Sequence, residues 1–311
     1  MYDSVFMRLT QSEVQGVDFL AETPCYLEDV AEHRFKDGMV VLTGHLGNLK
    51  VVVNRYQVKV KDGSLCKYYM GNNFKTMGRK DTQRAIEKLS DTLHLPMNLA
   101  AVTRLDVAHN FCTKHPPEVY LNHLGLLKYA TRLQEPNGVY YSKKGGRLAF
   151  YDKCKEQKSK GEPIPELYEG RNIFRYELRY TNRIARQFGV AEVTGGLLYD
   201  NNFFVDVITR WRDTYRQIQK INDVTINYKI VQKRKKLSDF GLLMYAENRG
   251  GLDNVIAEIK EAQKRGELTS KQAFDLKKSF IDAYQSDVGT TPNDAIAELD
   301  KKVNEAVRLY R

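Results

Sequence analysis

The sequence predicts an α+β protein: a curved, mainly antiparallel sheet with helices on its outer face, plus a C-terminal helical extension. In the first 240 residues, β-prone runs alternate with segments of helical spacing, and two pairs of runs flank turn dipeptides. From residue 252 onward, apolar residues recur at helical spacing only. We therefore expect two domains, residues 1–245 and residues 246–311. A packed helical extension of a single domain would explain the tail equally well.

The first elements are predicted from turn and cap residues. VVVNRYQVKV (51–60) and SLCKYYM (64–70) flank Asp62-Gly63 and are typical of a hairpin. DTQRAIEKLSDTLHL (81–95) has apolar residues at helical spacing behind a candidate cap at Asp81. AVTRLDVAHNF (101–111) alternates as a strand does, and residues 116–133 resemble a helix that begins at a proline.

The following elements alternate between strand and helix. GVYYS (138–142) and RLAFYDK (147–153) flank Lys143-Lys144-Gly145-Gly146 and predict a second hairpin. IFRYELRY (173–180) predicts a strand, and a short helix should end near Gly189. Apolar spacing predicts a longer helix over 204–218.

Three helices are predicted in the tail. Their apolar positions begin at Val255, Leu276 and Ile296, and Thr291-Pro292 is a candidate start for the last helix. Asn248-Arg249-Gly250-Gly251 is the candidate hinge before them.

The net charge of +10 is unevenly distributed. Residues 241–311 carry 11 basic and 12 acidic side chains, which leaves 38 basic and 27 acidic side chains, a net charge of +11, in residues 1–240. A basic body of this kind favours a polyanionic partner, most simply nucleic acid, over a merely basic surface.

Cysteine spacing and hydropathy indicate the cellular compartment of the protein. The four cysteines show no CxxC spacing, which argues against a structural zinc site or a disulfide framework and fits a reducing cytoplasm. No apolar run reaches the roughly 18 residues of a membrane span, and no basic-then-apolar leader begins the chain, so we expect neither a membrane partner nor a signal peptide.

Period-two alternation assigns charged side chains of three strands to common faces. Arg104 and Asp106 share a face in the first strand. In the other two, the shared sets are Arg147, Tyr151 and Lys153, and Arg175, Glu177 and Arg179. If these strands are neighbours, one sheet surface holds two carboxylates, several guanidinium groups, a lysine and a tyrosine.

That set of side chains suits phosphodiester transfer. Two carboxylates can bind Mg²⁺ or Mn²⁺, which polarises a phosphate. Arginines bind its non-bridging oxygens, and a tyrosine near a cation can attack phosphorus. A nearby lysine can lower the tyrosine pKa or protonate the leaving oxygen.

The residues alone leave alternatives open. Charged residues on one strand face usually form a solvated surface. Four other tyrosines compete with Tyr151 by local sequence: Tyr140, Tyr141, Tyr176 and Tyr180. A one-residue slip in register would make Asp152, rather than Asp106, a metal ligand.

Three segments resemble the motifs of rolling-circle replication initiators, both the filamentous-phage initiators and the trans-acting plasmid initiators. TRLDVAHNF (103–111) resembles their Arg-hydrophobic-Asp strand, and GVYYSKKGGRLAFYDKCKEQ (138–157) resembles the plasmid stretch that contains the nucleophilic tyrosine. NIFRYELRYTNRIARQFG (172–189) resembles the strand with an Arg-aromatic-Glu-hydrophobic-Arg pattern. Their order and rough spacing agree over residues 50–190, although Lys143-Lys144-Gly145-Gly146 stands where the plasmid family usually has Arg-Lys-Ser.

The resemblance implies an enzyme that nicks one strand at an origin through a covalent 5′-phosphotyrosine. It implies Tyr151 as the nucleophile, with Lys153 and Arg147 as catalytic partners and Asp106 and Glu177 as ligands of Mg²⁺ or Mn²⁺. The implied contacts to DNA phosphates are Arg104, Arg175, Arg179, Lys143 and Lys144. Implied partners are origin DNA (duplex, cruciform or single-stranded at the nick) and the host helicase and polymerase. A dimer is compatible with the sequence.

Three rival functions are disfavoured. Initiators and relaxases that hold metal with a His-hydrophobic-His triplet need two histidines one residue apart, and the six histidines include no such pair. A tyrosine recombinase needs a helical catalytic domain, whereas this body is rich in strands. A non-catalytic protein that binds double-stranded DNA through its basic surface would not need Asp106 and Glu177 facing the phosphates, which they repel.

Overall fold

The computed structural model describes residues 1–221, 223–224, 234–286, 290–291 and 293–310. These residues form a ten-stranded sheet, a two-stranded ribbon and α-helices that lie between and after the strands along the chain. The predicted α+β class, with an antiparallel sheet and C-terminal helices, is confirmed.

Ten strands form one antiparallel sheet, and β2 and β7 are its two edges. The strands are β1 (Tyr2–Thr10), β2 (Glu28–Arg34), β3 (Val40–Leu46), β4 (Leu49–Asn54), β5 (Gln57–Lys61), β6 (Ala101–Thr113), β7 (Thr131–Glu135), β8 (Gly138–Lys143), β9 (Gly146–Asp152) and β10 (Asn172–Tyr180). Their order is β2-β3-β4-β5-β1-β6-β10-β9-β8-β7. The separate ribbon pairs β11 (Asp223–Val224) with β12 (Thr290–Thr291).

Helices lie between strands along the chain and make up most of its described C-terminal part. They are α1 (Phe19–Glu22), α2 (Leu65–Met70), α3 (Arg79–Leu93), α4 (Pro117–Asn122), α5 (Lys153–Ser159), α6 (Ile184–Phe188), α7 (Asn201–Arg216), α8 (Arg234–Asn248), α9 (Leu252–Lys264), α10 (Ser270–Gln285) and α11 (Asp294–Tyr310). No described helix is both long enough and apolar enough to cross a membrane.

The chain divides into two compact units. The first contains residues 1–113, 129–216 and 302–311, and the second contains residues 114–128 and 217–301. The predicted boundary after residue 245 lies inside α8, and the division into domains 1–245 and 246–311 stays a prediction.

An aromatic stack forms the core of the first unit on one face of the sheet. Phe150 of β9 stacks on Tyr176 of β10 with ring centroids 4.4 Å apart, and Tyr176 stacks on Trp211 of α7 at 4.6 Å. The Tyr176 hydroxyl donates to the Trp211 carbonyl oxygen at 3.0 Å. This packing fixes the register of β9 and β10 and therefore the side chains on their opposite face.

The second unit has its own core, in which α8, α9 and α10 pack together. Leu243, Val255, Ile256, Phe280 and Tyr284 are among its buried residues. The helical spacing expected there is confirmed. The candidate hinge lies between α8 and α9, where Gly250 and Gly251 have positive φ angles of 82° and 104°.

The first predicted hairpin is wrong in both of its strands, because residues 51–60 do not form one strand but contain the end of β4, a turn and most of β5. The hairpin that forms joins β4 to β5, because the Asn54 side chain accepts hydrogen bonds from the Tyr56 and Gln57 amides at 2.9 and 3.0 Å and closes the turn. Residues 65–70 form helix α2 instead of a strand, since the Ser64 hydroxyl caps the Lys67 amide at 3.0 Å.

Three helix boundaries also differ from the prediction. Helix α3 begins at Arg79, and Asp81 lies inside it, where its carboxylate accepts from the Gly78 amide at 2.9 Å. The helix predicted over 116–133 ends at Asn122, after which the Gly125 amide bonds the Gln219 carbonyl at 2.8 Å. Of Thr291-Pro292, Thr291 belongs to β12 and Pro292 lies outside the described residues, and α11 starts at Asp294.

Candidate active site

The sheet register places the predicted site residues in rows that run across neighbouring strands. In one row, Asp106 of β6 pairs with Arg179 of β10, which pairs with Arg147 of β9. The three strands are adjacent as expected, and the predicted period-two faces form, with Lys153 as the exception.

A second row places a carboxylate between two small residues. Glu177 of β10 lies opposite Ala108 of β6 on one side and Ala149 of β9 on the other, and Ala149 pairs with Tyr140 of β8. Ala149 and Glu177 line the pocket, whereas Ala108 is buried outside its lining.

A third row contains the predicted nucleophile. Asn110 pairs with Arg175, Arg175 with Tyr151, and Tyr151 with Gly138. A Cβ atom at Gly138 would lie 3.0 Å from the Tyr140 hydroxyl oxygen. The glycine thus makes room for a second phenol beside Tyr151.

A pocket of about 520 Å³ opens on this face of the sheet. Six of the predicted site residues line it: Arg104, Asp106, Arg147, Tyr151, Glu177 and Arg179. The other four, Lys143, Lys144, Lys153 and Arg175, are described but lie outside its lining.

Oppositely charged side chains alternate along the pocket in an unbroken series of contacts, which we call the ion-pair chain. Its members, in order, are Arg104, Asp106, Arg179, Glu177, Arg175 and Asp3. Arg179 is shared by two acids: its Nε lies 3.1 Å from Asp106 Oδ1 and its Nη2 lies 3.0 Å from Glu177 Oε1. With three guanidinium groups and three carboxylates, the ion-pair chain has no net charge.

Burial affects the ionisation of Glu177. Glu177 is buried, and this raises the pKa of its carboxyl group. Arg175 lowers that pKa, whereas the nearby carboxylates of Asp106 and Asp3 raise it. Crowded acids of this kind gain from any additional positive charge.

Tyr151 is the half-buried phenol at the base of the pocket. Burial raises its pKa well above the ordinary value, and the neighbouring Arg175 is the strongest opposing influence. Among the rival tyrosines, Tyr141, Tyr176 and Tyr180 are buried in the core, and Tyr140 lines the pocket.

The strand that carries Tyr151 ends one residue earlier than predicted, so the placement of Lys153 on its face is wrong. Asp152 ends β9 and caps α5, accepting from the Lys155 amide at 2.9 Å. Lys153 is therefore the first helical residue; its side chain is 1% exposed, and its Nζ lies 2.6 Å from Glu156 Oε2. Glu156 in turn lines the pocket. The alternative register with Asp152 as a ligand is not the one that forms.

Lys143 and Lys144 lie at the β8–β9 turn. Lys143 pairs with Gly146, and Gly145 closes the turn with a positive φ of 93°. Burial lowers the pKa of Lys143. These two lysines are thus placed at the end of the hairpin, while the pocket lies along its strands.

Several pocket residues were not predicted. Asp3 and Phe6 come from β1, Tyr140 comes from β8 and Glu156 from α5. Alternation in β8 could have pointed to Tyr140, which shares a face with Gly138. The Arg147 guanidinium lies over the Tyr140 ring at 4.3 Å, and that of Arg104 lies over Phe6 at 4.5 Å.

The donors for a divalent cation are present but paired with arginine. Carboxylate oxygens are the ligands that Mg²⁺ and Mn²⁺ prefer. In the described part of the chain, no group of three or more Asp, Glu, His or Cys side chains is arranged around a metal position. Asp106 and Glu177 supply carboxylate oxygens of the right chemistry, and Arg179 contacts both of them.

The arrangement combines a phenol, a carboxylate pair and several guanidinium groups in one pocket, as phosphodiester transfer requires. The family model Phage_CRI, which describes the N-terminal part of a phage replication-associated protein, matches residues 1–204, well over half of the chain, and this confirms the resemblance to the filamentous-phage initiators. No curated protein matches the chain. The chain therefore belongs to the Phage_CRI family of replication-associated proteins and is a replication initiator of the filamentous-phage type.

Proposed function

We propose that this initiator nicks one strand of its origin DNA, using Tyr151 as the nucleophile. The observation that carries the proposal is the third row of the site: Tyr151 lies in the pocket, next to a buried arginine and one row from Glu177. Membership of a replication-initiator family supplies the biological context.

In the proposed reaction, the Tyr151 phenolic oxygen attacks the phosphorus of the scissile phosphate. A bond forms between that oxygen and phosphorus, and the bond from phosphorus to the 3′-oxygen breaks. The phenolic proton passes to water, the 3′-oxygen takes up a proton from water and becomes a free hydroxyl, and the 5′-phosphate stays on Tyr151. The free hydroxyl then primes the host polymerase, with the host helicase opening the duplex.

The other pocket residues bind and orient the substrate. Arg104, Arg147 and Arg179 line the pocket and are placed to hold the non-bridging phosphate oxygens. Lys153 lies outside the pocket lining and forms an ion pair with Glu156, which belongs to the lining. Lys153 thereby adds positive charge next to the pocket. Lys143 and Lys144 bind the DNA backbone further along the strand.

Asp106 and Glu177 would hold Mg²⁺ or Mn²⁺. Such a cation polarises the phosphate and offsets the charge that develops on it during transfer. A protein that bound DNA without cleaving it would gain no attraction for phosphate from two buried acids, which repel it. Two acids in this pocket therefore favour catalysis over simple binding. The reducing cytoplasm of the bacterial host is the proposed location.

Mass spectrometry of the covalent adduct tests the nucleophile directly. The protein is incubated with supercoiled DNA of the replicon that encodes it and with Mn²⁺, then digested with nuclease and trypsin. Trypsin cuts after Arg147 and Lys153, so a nucleotide on Tyr151 appears on peptide 148–153. A nucleotide on Tyr140 or Tyr141 would appear on peptide 133–143.

We expect the adduct on peptide 148–153, and we expect Tyr151→Phe to abolish nicking while leaving DNA binding intact. Tyr140→Phe is the matched control and should still form the adduct. A covalent adduct in Tyr151→Phe would refute the assignment.

A further inference from the structure

Arg175 differs from the other arginines of the site in its burial. Its side chain is 2% exposed, compared with 24% for Arg104 and 30% for Arg179. It does not belong to the pocket lining. A phosphate in the pocket therefore meets the exposed guanidinium groups and is separated from Arg175 by other side chains.

The Arg175 guanidinium is held in one orientation from several sides. Its Nη2 donates to Asp3 Oδ2 at 2.5 Å, and its Nη1 donates to the Asn73 carbonyl at 3.2 Å and to Asn110 Oδ1 at 3.1 Å. Asn110 is itself fixed, because its Nδ2 donates to the carbonyls of Asn73 and Phe74 at 2.8 and 2.9 Å. Bonds to a buried ionised group in a low-dielectric site are strong.

Asp3 reaches this position because β1 is irregular. Tyr2 pairs with Val107 and Val5 with Leu105, so β1 has one more residue than β6 between these points. An extra residue of this kind turns side chains to the other face of a strand. Asp3 thereby lies on the pocket side, where the Ser64 hydroxyl donates to its Oδ1 at 2.6 Å.

One donor of Arg175 remains unused. Its Nε is buried, has no hydrogen-bond partner among the described residues, and lies 3.6 Å from Glu177 Oε2, beyond hydrogen-bond length. Arg175 is also the direct cross-strand neighbour of Tyr151. A buried donor left unpaired costs stability, so its retention beside the phenol calls for a functional reason.

We propose that Arg175 is an internal counter-ion for Tyr151 and not a contact of the DNA backbone, and that Asp3 is the positioning residue that holds it there. The inference rests on the proposed function, since it assigns a task to the cross-strand neighbour of the attacking tyrosine. Arg175 forms and breaks no covalent bond; its fixed charge stabilises the negative charge on the phenolic oxygen as that oxygen loses its proton to water and attacks. This role is an alternative to the phosphate contact that the resemblance implies for Arg175.

Salt dependence of DNA binding separates the two roles. The probe is a single-stranded oligonucleotide that spans the mapped nick, and its association constant is measured over a range of NaCl concentrations. A lost phosphate contact lowers the slope of log K against log salt by about 0.7 for single strands. We expect Arg175→Gln to keep the wild-type slope and the matched control Arg179→Gln to lower it by that amount.

Single-turnover cleavage of the same oligonucleotide supplies the second readout. Arg175→Gln should slow cleavage about a hundredfold, as loss of one preorganised donor does, and Arg175→Lys should recover part of the rate because it keeps the charge. Equal loss of slope in Arg175→Gln and Arg179→Gln would overturn the proposal, and so would wild-type cleavage by Arg175→Gln.

If the Arg175 variants do not fold, Asp3→Asn provides an independent test, because asparagine keeps the size of the Asp3 side chain and removes its charge. We expect slower cleavage with an unchanged salt slope, partly restored by Asp3→Glu, while Glu28→Gln on the edge strand β2 behaves as wild type. Wild-type cleavage by Asp3→Asn would remove Asp3 from the proposal. An adduct found on a residue other than Tyr151 would instead refute the proposed function, so the two failures are distinguishable.

Discussion

The two faces of strands β9 and β10 are built from alternate residues of the same segments, yet their chemistry is opposite. One face holds Phe150 and Tyr176, stacked nearly parallel with an interplanar angle of 5° and packed on α7. The other face holds Glu177, Tyr151 and the arginines that line the pocket. A shift of one residue in register would exchange the two faces completely.

The two faces separate the side chains that stabilise the fold from those that we propose to act on DNA. Each aromatic pair contributes about 0.5–1.5 kcal/mol beyond the burial of its apolar area. Buried acids such as Glu177 and Asp106 lose hydration, and their ion pairs only partly offset that loss. The stacked face therefore stabilises a sheet whose opposite face is arranged for binding and chemistry. Substitutions on the two faces should produce separable effects.

The largest effect is expected on the pocket face. The double variant Asp106→Asn, Glu177→Gln should reduce metal-dependent cleavage by about a thousandfold, about 4 kcal/mol of transition-state stabilisation. Both substitutions keep the side-chain shape but leave the neighbouring arginines with fewer carboxylate partners, so the midpoint of thermal unfolding should also fall and cleavage is compared per folded molecule at low temperature. Cleavage of supercoiled replicon DNA across a Mn²⁺ titration measures this, and normal cleavage would mean that any metal site lies elsewhere.

An intermediate effect is expected on the stacked face. Phe150→Ala removes a fully buried ring between Tyr141 and Tyr176 and should lower the free energy of unfolding by about 3 kcal/mol. Urea denaturation followed by circular dichroism measures the loss. The cleavage rate per folded molecule should be retained at low temperature; a proportional loss of rate would show that the faces are not separable.

The smallest effect is expected from Tyr176→Phe, which removes only the hydroxyl that bonds the Trp211 carbonyl. The free energy of unfolding should fall by about 1 kcal/mol, the usual net value of one hydrogen bond. Nicking should be unchanged, in contrast to Tyr151→Phe on the opposite face. A large loss of nicking here would indicate that the hydroxyl of the stacked face supports the chemistry.

The sequence allowed much of the site to be predicted, because period-two alternation is a local property. It placed Asp106, Glu177, Arg147 and Tyr151 on faces that the register then brought side by side. Asp3 was not predictable in this way: strict alternation assigns it to the same face as Val5, and only the extra residue in β1 turns it to the pocket.

Other differences arise where a side chain competes with β-propensity. Ser64 caps α2 and overrides the aromatic residues of SLCKYYM, and Asp152 ends β9 by capping α5, which removes Lys153 from the strand face. The motif singles out Tyr151 among the tyrosines. The burial of Tyr141, Tyr176 and Tyr180 depends on tertiary packing, which the local sequence does not reveal.

The ion-pair chain also determines how two ligands of opposite charge affect each other. Arg179 is shared by Asp106 and Glu177, so any anion that draws it away leaves both acids with one positive partner fewer. If Asp106 and Glu177 hold a cation as proposed, their affinity for it would then rise, and the cation would raise the affinity for the anion by the same factor, since coupling between two sites is reciprocal. The proposed function therefore implies a pocket that binds a phosphate and a cation cooperatively.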